Sequence, residues 1–212
     1  MSTKQNTPLF ECELKLHLET AADHVRLEKR LRHFSSPDVK EQVNIFFDTE
    51  DQFLRNQKIA LRLRQEGAIF LLTAKGRKIQ TGDLVVRPEI ECEISLSEGL
   101  SLLQKKKNIA ELNHPPLLWI KQQTNRSELC FHEVLRFTNQ RQNFILPDCS
   151  FVLELDHTLY ENGTHFFELE VEFQNEADYL PAKKILQKIF NEENLPWKIS
   201  AQSKYARALT YK

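Results

Sequence analysis

Glycine is scarce in this chain, 5 among 212 residues, and proline numbers 8. No stretch is rich enough in Ser, Gly or Pro to act as a linker, and no period marks a repeat array. Glycine-rich phosphate cradles are missing as well: there is no P-loop, no G-x-G-x-x-G and no G-x-S-x-G. Gly76 and Gly82 read as turn glycines. Any phosphate would have to be held by side chains. Four widely spaced cysteines, Cys12, Cys92, Cys130 and Cys149, form no C-x-x-C pair. That argues against a disulfide framework or a zinc site and points to reduced thiols in a cytoplasm. No apolar run approaches the roughly 20 residues needed to cross a bilayer, and Met1 to Lys15 lacks the apolar segment of a secretory leader. No membrane association is expected. A charge excess is missing too: 29 Lys and Arg meet 30 Asp and Glu, a net charge of −1. A protein that binds nucleic acid through bulk positive charge needs a basic surplus, so nucleic acid is not an expected partner. With 41% hydrophobic residues the chain can build a core, which excludes an acidic disordered segment.

What is present is alternation. Phe10-Glu11-Cys12-Glu13-Leu14-Lys15-Leu16 is apolar at even positions and polar at odd ones. The same period of two runs through Ile59 to Arg64, Arg87 to Ile94, Val152 to Asp156 and Phe167 to Phe173, which predicts strands. Further strands are expected at Val43 to Phe47, Ala68 to Lys75 and Val134 to Leu146. About eight strands suit an antiparallel sheet or a closed barrel. Helices are expected after Thr20-Ala21-Ala22-Asp23, at Ser97 to Lys107, Leu117 to Thr124, Pro181 to Glu193 and Ser203 to Thr210. The expected organisation is one domain over residues 9–211, with a helical insertion at about 97–125.

The charges concentrate on single strand faces: Glu11/Glu13/Lys15, Arg62/Arg64, Arg87/Glu89/Glu91/Glu93, Glu154/Asp156 and Glu168/Glu170/Glu172. Like charges along one face repel. One such strand is an ordinary solvated sheet face. Five of them favour a barrel whose apolar faces point out to helices and whose charged faces line a cavity. There, carboxylates suit a hard divalent metal, and Arg and Lys suit an oxyanion, most plausibly phosphate. Arg62 and Arg64 can present two guanidinium forks from one face. A bound metal can lower the pKa of a water and supply the nucleophile, so no Ser or Cys is required.

An ordered set of short motifs resembles the CYTH superfamily, the triphosphate tunnel metalloenzymes. Glu11-Cys12-Glu13-Leu14-Lys15 resembles its E-x-E-x-K signature. Phe46-Phe47-Asp48-Thr49, Ala60-Leu61-Arg62-Leu63-Arg64, Leu72-Thr73-Ala74-Lys75-Gly76 and Glu91-Cys92-Glu93 follow in the family's order. So do Arg141 in its Asn- and Gln-rich strand, Leu153-Glu154-Leu155-Asp156, Phe167 to Glu172, and Ser203-Lys204-Tyr205. The resemblance runs from Glu11 to Tyr205. It implies an α+β fold: a closed eight-stranded antiparallel β-barrel with a charged interior and helices packed outside.

The resemblance also implies roles. Glu11, Glu13 and Glu168 would hold a metal on the triphosphate. Asp156, Glu170 and a central glutamate, Glu93 or else Glu91, would hold a second metal near the attacking water. Lys15, Arg62, Arg64, Lys75, Arg141 and Lys204 would bind phosphate oxygens. Arg87 shares the face of Glu91 and Glu93, as a tunnel cation or as the partner in a local ion pair. Arg136 and Arg141 differ by an odd number, so a regular strand separates their faces and Arg141 has Asn139 and Asn143 on its side, while a bulge would admit both. The catalytic set would be Glu170, Asp156, Glu93 and Lys15, with Mg²⁺ or Mn²⁺ in a two-metal site. The expected reaction is hydrolysis of inorganic triphosphate to pyrophosphate and phosphate. Thiamine or nucleoside triphosphate hydrolysis, a class IV-type adenylate cyclase and a non-catalytic polyphosphate-binding module are the alternatives.

Overall fold

A computed structural model describes residues 9–126, 128–147, 149, 151–173, 176–200 and 202–211; for Leu9, Glu11, Thr81 and Glu176 only the backbone is described. Among these, nine strands alternate with six helices: β1 (Leu9–Leu18), α1 (Ala21–Arg32), β2 (Asp38–Asp48), α2 (Phe53–Asn56), β3 (Ala60–Glu66), β4 (Ile69–Lys75), β5 (Ile79–Thr81), β6 (Leu84–Ile94), α3 (Leu96–Leu103), α4 (Pro115–Thr124), β7 (His132–Ile145), β8 (Val152–Tyr160), β9 (His165–Phe173), α5 (Tyr179–Glu192) and α6 (Lys204–Thr210). The strand order is β1-β9-β8-β7-β2-β3-β4-β6-β5, and β1 also pairs with β6. The eight long strands thus form a closed antiparallel barrel, with β5 as a short extra strand at the β6 edge.

By internal contacts the chain falls into two compact units. The first comprises Gln42–Ile79 and Arg87–Phe137, with the described residues up to Phe10; the second comprises Glu11–Glu41, Gln80–Val86 and the chain from Thr138 onward.

In the second unit, the even positions of β1 bury Leu14, Leu16 and Leu18 with Leu153 and Leu155 of β8 and Leu169 and Val171 of β9. Helices α1 and α5 cover that apolar face with Leu27, Leu31, Ala182, Leu186, Ile189 and Phe190. Helix α1 starts at a capping box: Thr20 accepts from the Asp23 amide and Asp23 accepts from the Thr20 amide, which satisfies two otherwise orphan donors. Its last turn carries Lys29, Arg30 and Arg32, favourable at the negative end of the helix dipole.

In the first unit, Leu61, Leu63, Phe70, Leu72, Ala74, Ile90 and Ile94 of β3, β4 and β6 pack with Leu54 of α2, Leu102 of α3 and Leu117, Trp119 and Ile120 of α4. Gly99 lets α3 lie on β4, because a Cβ there would meet the Phe70 ring at 2.2 Å. Gly76 does not adopt a positive φ. It is a close-approach glycine, not a turn glycine, since a Cβ would meet Pro88 at 2.7 Å and Trp119 at 3.0 Å. Gly82, at φ +61°, is the turn glycine.

Several boundaries differ from the sequence expectation. Helix α3 begins at Leu96 behind a Ser95–Glu98 capping box and ends at Leu103; Lys105 has φ 54°, which ends the run expected to reach Lys107. Helix α4 begins two residues early because Pro115 and Pro116 fit a first turn, where the missing N–H costs nothing. The four-residue α2 has no amphipathic signal. It forms because Asp48 is buried and accepts hydrogen bonds from the Leu54 and Arg55 amides.

Candidate active site

On β1, β8 and β9 the positions opposite the apolar core carry Glu13, Lys15, Asp156, Glu168 and Glu170, all buried, with Glu154 half-buried and Glu172 exposed. The register pairs acid with acid: Glu13 faces Glu172, Glu154 faces Glu170 and Asp156 faces Glu168. It also sets Lys15 against Glu170. Such pairing is unfavourable unless cations intervene, and four do.

Lys15 bonds Glu170 at 2.5 Å and Glu13 at 2.9 Å. Arg141 gives Asp156 a two-pronged contact, Nε to Oδ1 at 2.9 Å and a terminal nitrogen to Oδ2 at 2.7 Å. It also reaches Glu170 at 2.7 Å and pairs with Glu154. Lys204, the first residue of α6, lies 2.7 Å from Asp156, 2.6 Å from Glu168 and 2.8 Å from Glu170. Arg207, one helical turn further on, bonds Glu168 at 2.7 Å. Asn139 donates to Asp156, and Ser200 donates to Glu168. Asp156 and Glu168 are fully buried and Glu170 is nearly so.

These contacts set the protonation states. Burial alone would push Glu170 up, but Lys15, Lys204 and Arg141 outweigh it and hold its carboxyl well below the usual range. Asp156 is lowered in the same way, Arg141 and Lys204 overcoming burial. Glu154 goes the other way: burial, together with Asp156 and Glu170, outweighs Arg141 and raises it. Burial would lower Lys204, yet the three carboxylates around it raise it, so it stays a cation.

Oxygen atoms of Asp156, Glu168 and Glu170 lie within 4.8 Å of one another. An all-carboxylate donor set of that span fits a hard divalent cation such as Mg²⁺ or Mn²⁺.

In the first unit, cross-strand rows on β2, β3, β4 and β6 build a second charged surface. Phe46, Arg62, Thr73 and Glu91 form one row, and Asn44, Arg64, Leu71 and Glu93 the next. Thr73 donates to Glu91 at 2.6 Å, and Arg62 approaches the same carboxylate oxygen at 3.4 Å. The Nε of Arg62 is buried with no hydrogen-bond partner among the described residues. Burial would raise Glu91, but Arg62, the Thr73 hydroxyl, Arg64 and Lys75 outweigh it and lower its carboxyl. Arg64 donates to Asn44 and lies 3.5 Å from Glu66. Lys75 pairs with Glu89 at 2.8 Å. Glu93 is exposed and Arg87 half-buried, both on β6.

Among the sequence candidates, Glu13, Lys15, Arg141, Asp156, Glu168, Glu170 and Lys204 gather in the second unit. Arg62, Arg64, Lys75, Arg87, Glu91 and Glu93 belong to the first. The side chain of Glu11 lies outside the described residues. Arg136 pairs with Glu133 three residues away, its side chain 41% exposed.

One residue escaped sequence reasoning, and another was placed on a charged face but given no role. Arg207 is buried between Glu168, the Tyr160 hydroxyl and Ser200, with its guanidinium 3.7 Å from the Phe166 ring centroid. Its i+3 spacing from Lys204 on a short helix was the available signal. Glu154 shares the face of Asp156 and pairs with Arg141.

The class of the fold is a closed antiparallel barrel with helices on its apolar face and buried carboxylates, Lys and Arg on other strand positions. The CYTH domain model matches residues 9–207, and the chain belongs to that family. Among solved structures, one from Hippeastrum superposes with a TM-score of 0.85 at 25% identity, covering 95% of this chain and 96% of that one. It is described as a putative adenylyl cyclase with a dominant triphosphatase activity. A putative adenylate cyclase from Bacillus halodurans matches at TM-score 0.73 and 23% identity over 95% and 98% of the two chains. A Pyrococcus horikoshii protein matches at 0.61 and 22% over 95% and 99%. No curated protein matches the sequence. No helix among the described residues is long and apolar enough to cross a membrane.

Proposed function

We propose that this chain is a metal-dependent triphosphatase that cuts inorganic triphosphate to pyrophosphate and phosphate. The carrying observation is the buried cluster in which Asp156, Glu168 and Glu170 share Lys15, Arg141 and Lys204. A cluster of this charge density costs stability relative to an apolar core, because each ion is stripped of water. A polyphosphate carrying a divalent metal needs both signs of ligand at close range. The Hippeastrum relative, with its stated triphosphatase activity, supports the same reading.

In this reading Asp156, Glu168 and Glu170 hold Mg²⁺ or Mn²⁺, with Glu13 and Glu11 of the same unit joining them. When bound, the metal supplies charge neutralisation of the phosphates and an acidified water. Lys15, Arg141 and Lys204 offer phosphate ligands beside that cluster, and Arg62, Arg64, Lys75 and Arg87 are the phosphate ligands proposed within the first unit. The unsatisfied Nε of Arg62 favours an incoming acceptor, since buried donors in folded proteins are nearly always paired. Glu154, whose carboxyl burial raises while those of Asp156 and Glu170 are lowered, takes a proton more readily than they do and suits the role of accepting the proton of the attacking water. The proposed compartment is the reducing cytoplasm, in keeping with four cysteines that form no disulfide.

The test is product analysis with Mg²⁺ and with Mn²⁺ over inorganic triphosphate, thiamine triphosphate and ATP. Orthophosphate release fastest from inorganic triphosphate is the expected result. Faster turnover of thiamine triphosphate removes the substrate assignment. Cyclic AMP and pyrophosphate from ATP, without orthophosphate, replaces the hydrolase with a cyclase.

A further inference from the structure

The ammonium of Lys204 makes three contacts of 2.6 to 2.8 Å, each with a carboxylate oxygen of a different residue: Asp156, Glu168 and Glu170. These same three residues form the group whose oxygens converge within 4.8 Å. A lysine nitrogen that satisfies three converging carboxylates stands where a bound cation would stand. Two cations cannot share that point: at about 4 Å in a medium of effective dielectric 20, an ammonium and a divalent metal would repel by roughly 8 kcal/mol, and the carboxylate oxygens are already directed at Nζ.

We infer that Lys204 is an exchangeable internal cation: it occupies the metal position of the Asp156–Glu168–Glu170 cluster, and a divalent metal enters only as Lys204 leaves. This inference rests on the metal-dependent reading above. It adds that Lys204 opposes the bare metal and assists the metal–triphosphate complex. The geometry makes departure feasible. Lys204 is the first residue of α6, and its side chain is a flexible four-carbon stem. Arg207, one turn along, keeps its own bonds to Glu168, Tyr160 and Ser200, so α6 stays docked when Lys204 swings away. The released ammonium is then a free donor for a phosphate oxygen. Metal and triphosphate therefore help each other to bind, and by linkage the coupling is reciprocal. The bare metal meets a site that is competent only in the small fraction of molecules with Lys204 displaced, and its apparent affinity is reduced by that fraction.

The experiment measures Mn²⁺ binding without any phosphate compound, from the electron paramagnetic resonance signal of free Mn²⁺. It uses wild type, Lys204→Met, Asp156→Asn and the double variant. Lys204→Met should lower the Mn²⁺ dissociation constant by about tenfold or more, within the usual range of site-to-site coupling. Adding Asp156→Asn should abolish the gain. Unchanged or weaker binding by Lys204→Met, with binding still lost in Asp156→Asn, overturns the exchange while leaving the metal site standing. Binding that ignores Asp156→Asn in both backgrounds overturns the metal reading and the exchange with it.

A second measurement separates displacement from mere loss of a nearby positive charge. In wild type carrying labelled lysine, diamagnetic Mg²⁺ should move the Lys204 side-chain resonance, which is identified by its loss in the charge-conserving Lys204→Arg. A resonance that stays put at saturating Mg²⁺ overturns the proposal even if Lys204→Met proves too unstable to assay.

Discussion

The strands β8 and β9 and the strip β3–β4–β6 carry the same residue types but partner them differently. In the first region, Asp156, Glu168 and Glu170 each touch two or more cationic side chains, and all three are nearly inaccessible to water. In the second, the ion-paired side chains are wetter. Glu91 is 36% exposed and meets Arg62 at the long distance of 3.4 Å, while Arg62 retains a buried, unsatisfied Nε. The β8–β9 region is a closed electrostatic network in which each group depends on its neighbours. The β3–β4–β6 strip holds spare hydrogen-bonding capacity of the kind that an incoming anion uses. The dense network and the open strip should therefore fail in different ways when a cation or an anion is removed.

The largest effect is expected from Arg141→Leu. It leaves Glu154, Asp156 and Glu170 buried with one cation fewer, and breaking such a network by removing one partner typically costs about 3–5 kcal/mol. For a chain of this size that is a fall in melting temperature of roughly 6–20 °C, read by calorimetry. A shift under 2 °C would mean that the network is not cooperative. Next comes Glu170→Gln, nearly isosteric but uncharged. It should lower kcat by about a hundredfold, roughly 2.7 kcal/mol of barrier, with KM for inorganic triphosphate little changed. Full activity with metal present would remove Glu170 from the metal set. The smallest effect is expected from Arg62→Ala. Losing a phosphate ligand from the open strip should raise KM by about tenfold, close to 1.4 kcal/mol of binding, with kcat nearly intact and a melting temperature well above that of Arg141→Leu. A collapse in stability matching that variant would show that the two regions are not different in kind.

Much of this was legible in the sequence because period-two alternation is a direct record of which face a residue occupies. The even positions of β1 announced Leu14, Leu16 and Leu18 as one face and Glu13 and Lys15 as the other, and both faces are buried. Parity also separated Arg141 from Arg136, and the two side chains do go to different places, one into the acidic cluster and one to Glu133 on its own strand. What parity cannot report is which charge on a face meets which. Glu154 and Asp156 share a face, yet their carboxyls shift in opposite directions, because Asp156 receives Asn139, Lys204 and two nitrogens of Arg141. Arg207 escaped because it lies on a seven-residue helix, where a single i+3 pair is no distinctive pattern. The short elements β5 and α2 escaped because their formation depends on an edge strand and on the buried Asp48, not on any local period.

Helix α6 has a consequence of its own. A seven-residue segment has no standing as a helix in water by itself, since nucleation is costly and too few bonds follow. Its persistence rests on what it touches, chiefly the carboxylates that receive Lys204 and Arg207, together with Tyr211 against Tyr160. The segment is thus a latch with two hooks, and while Lys204 can let go, Arg207 on Glu168, Tyr160 and Ser200 is what keeps the helix wound.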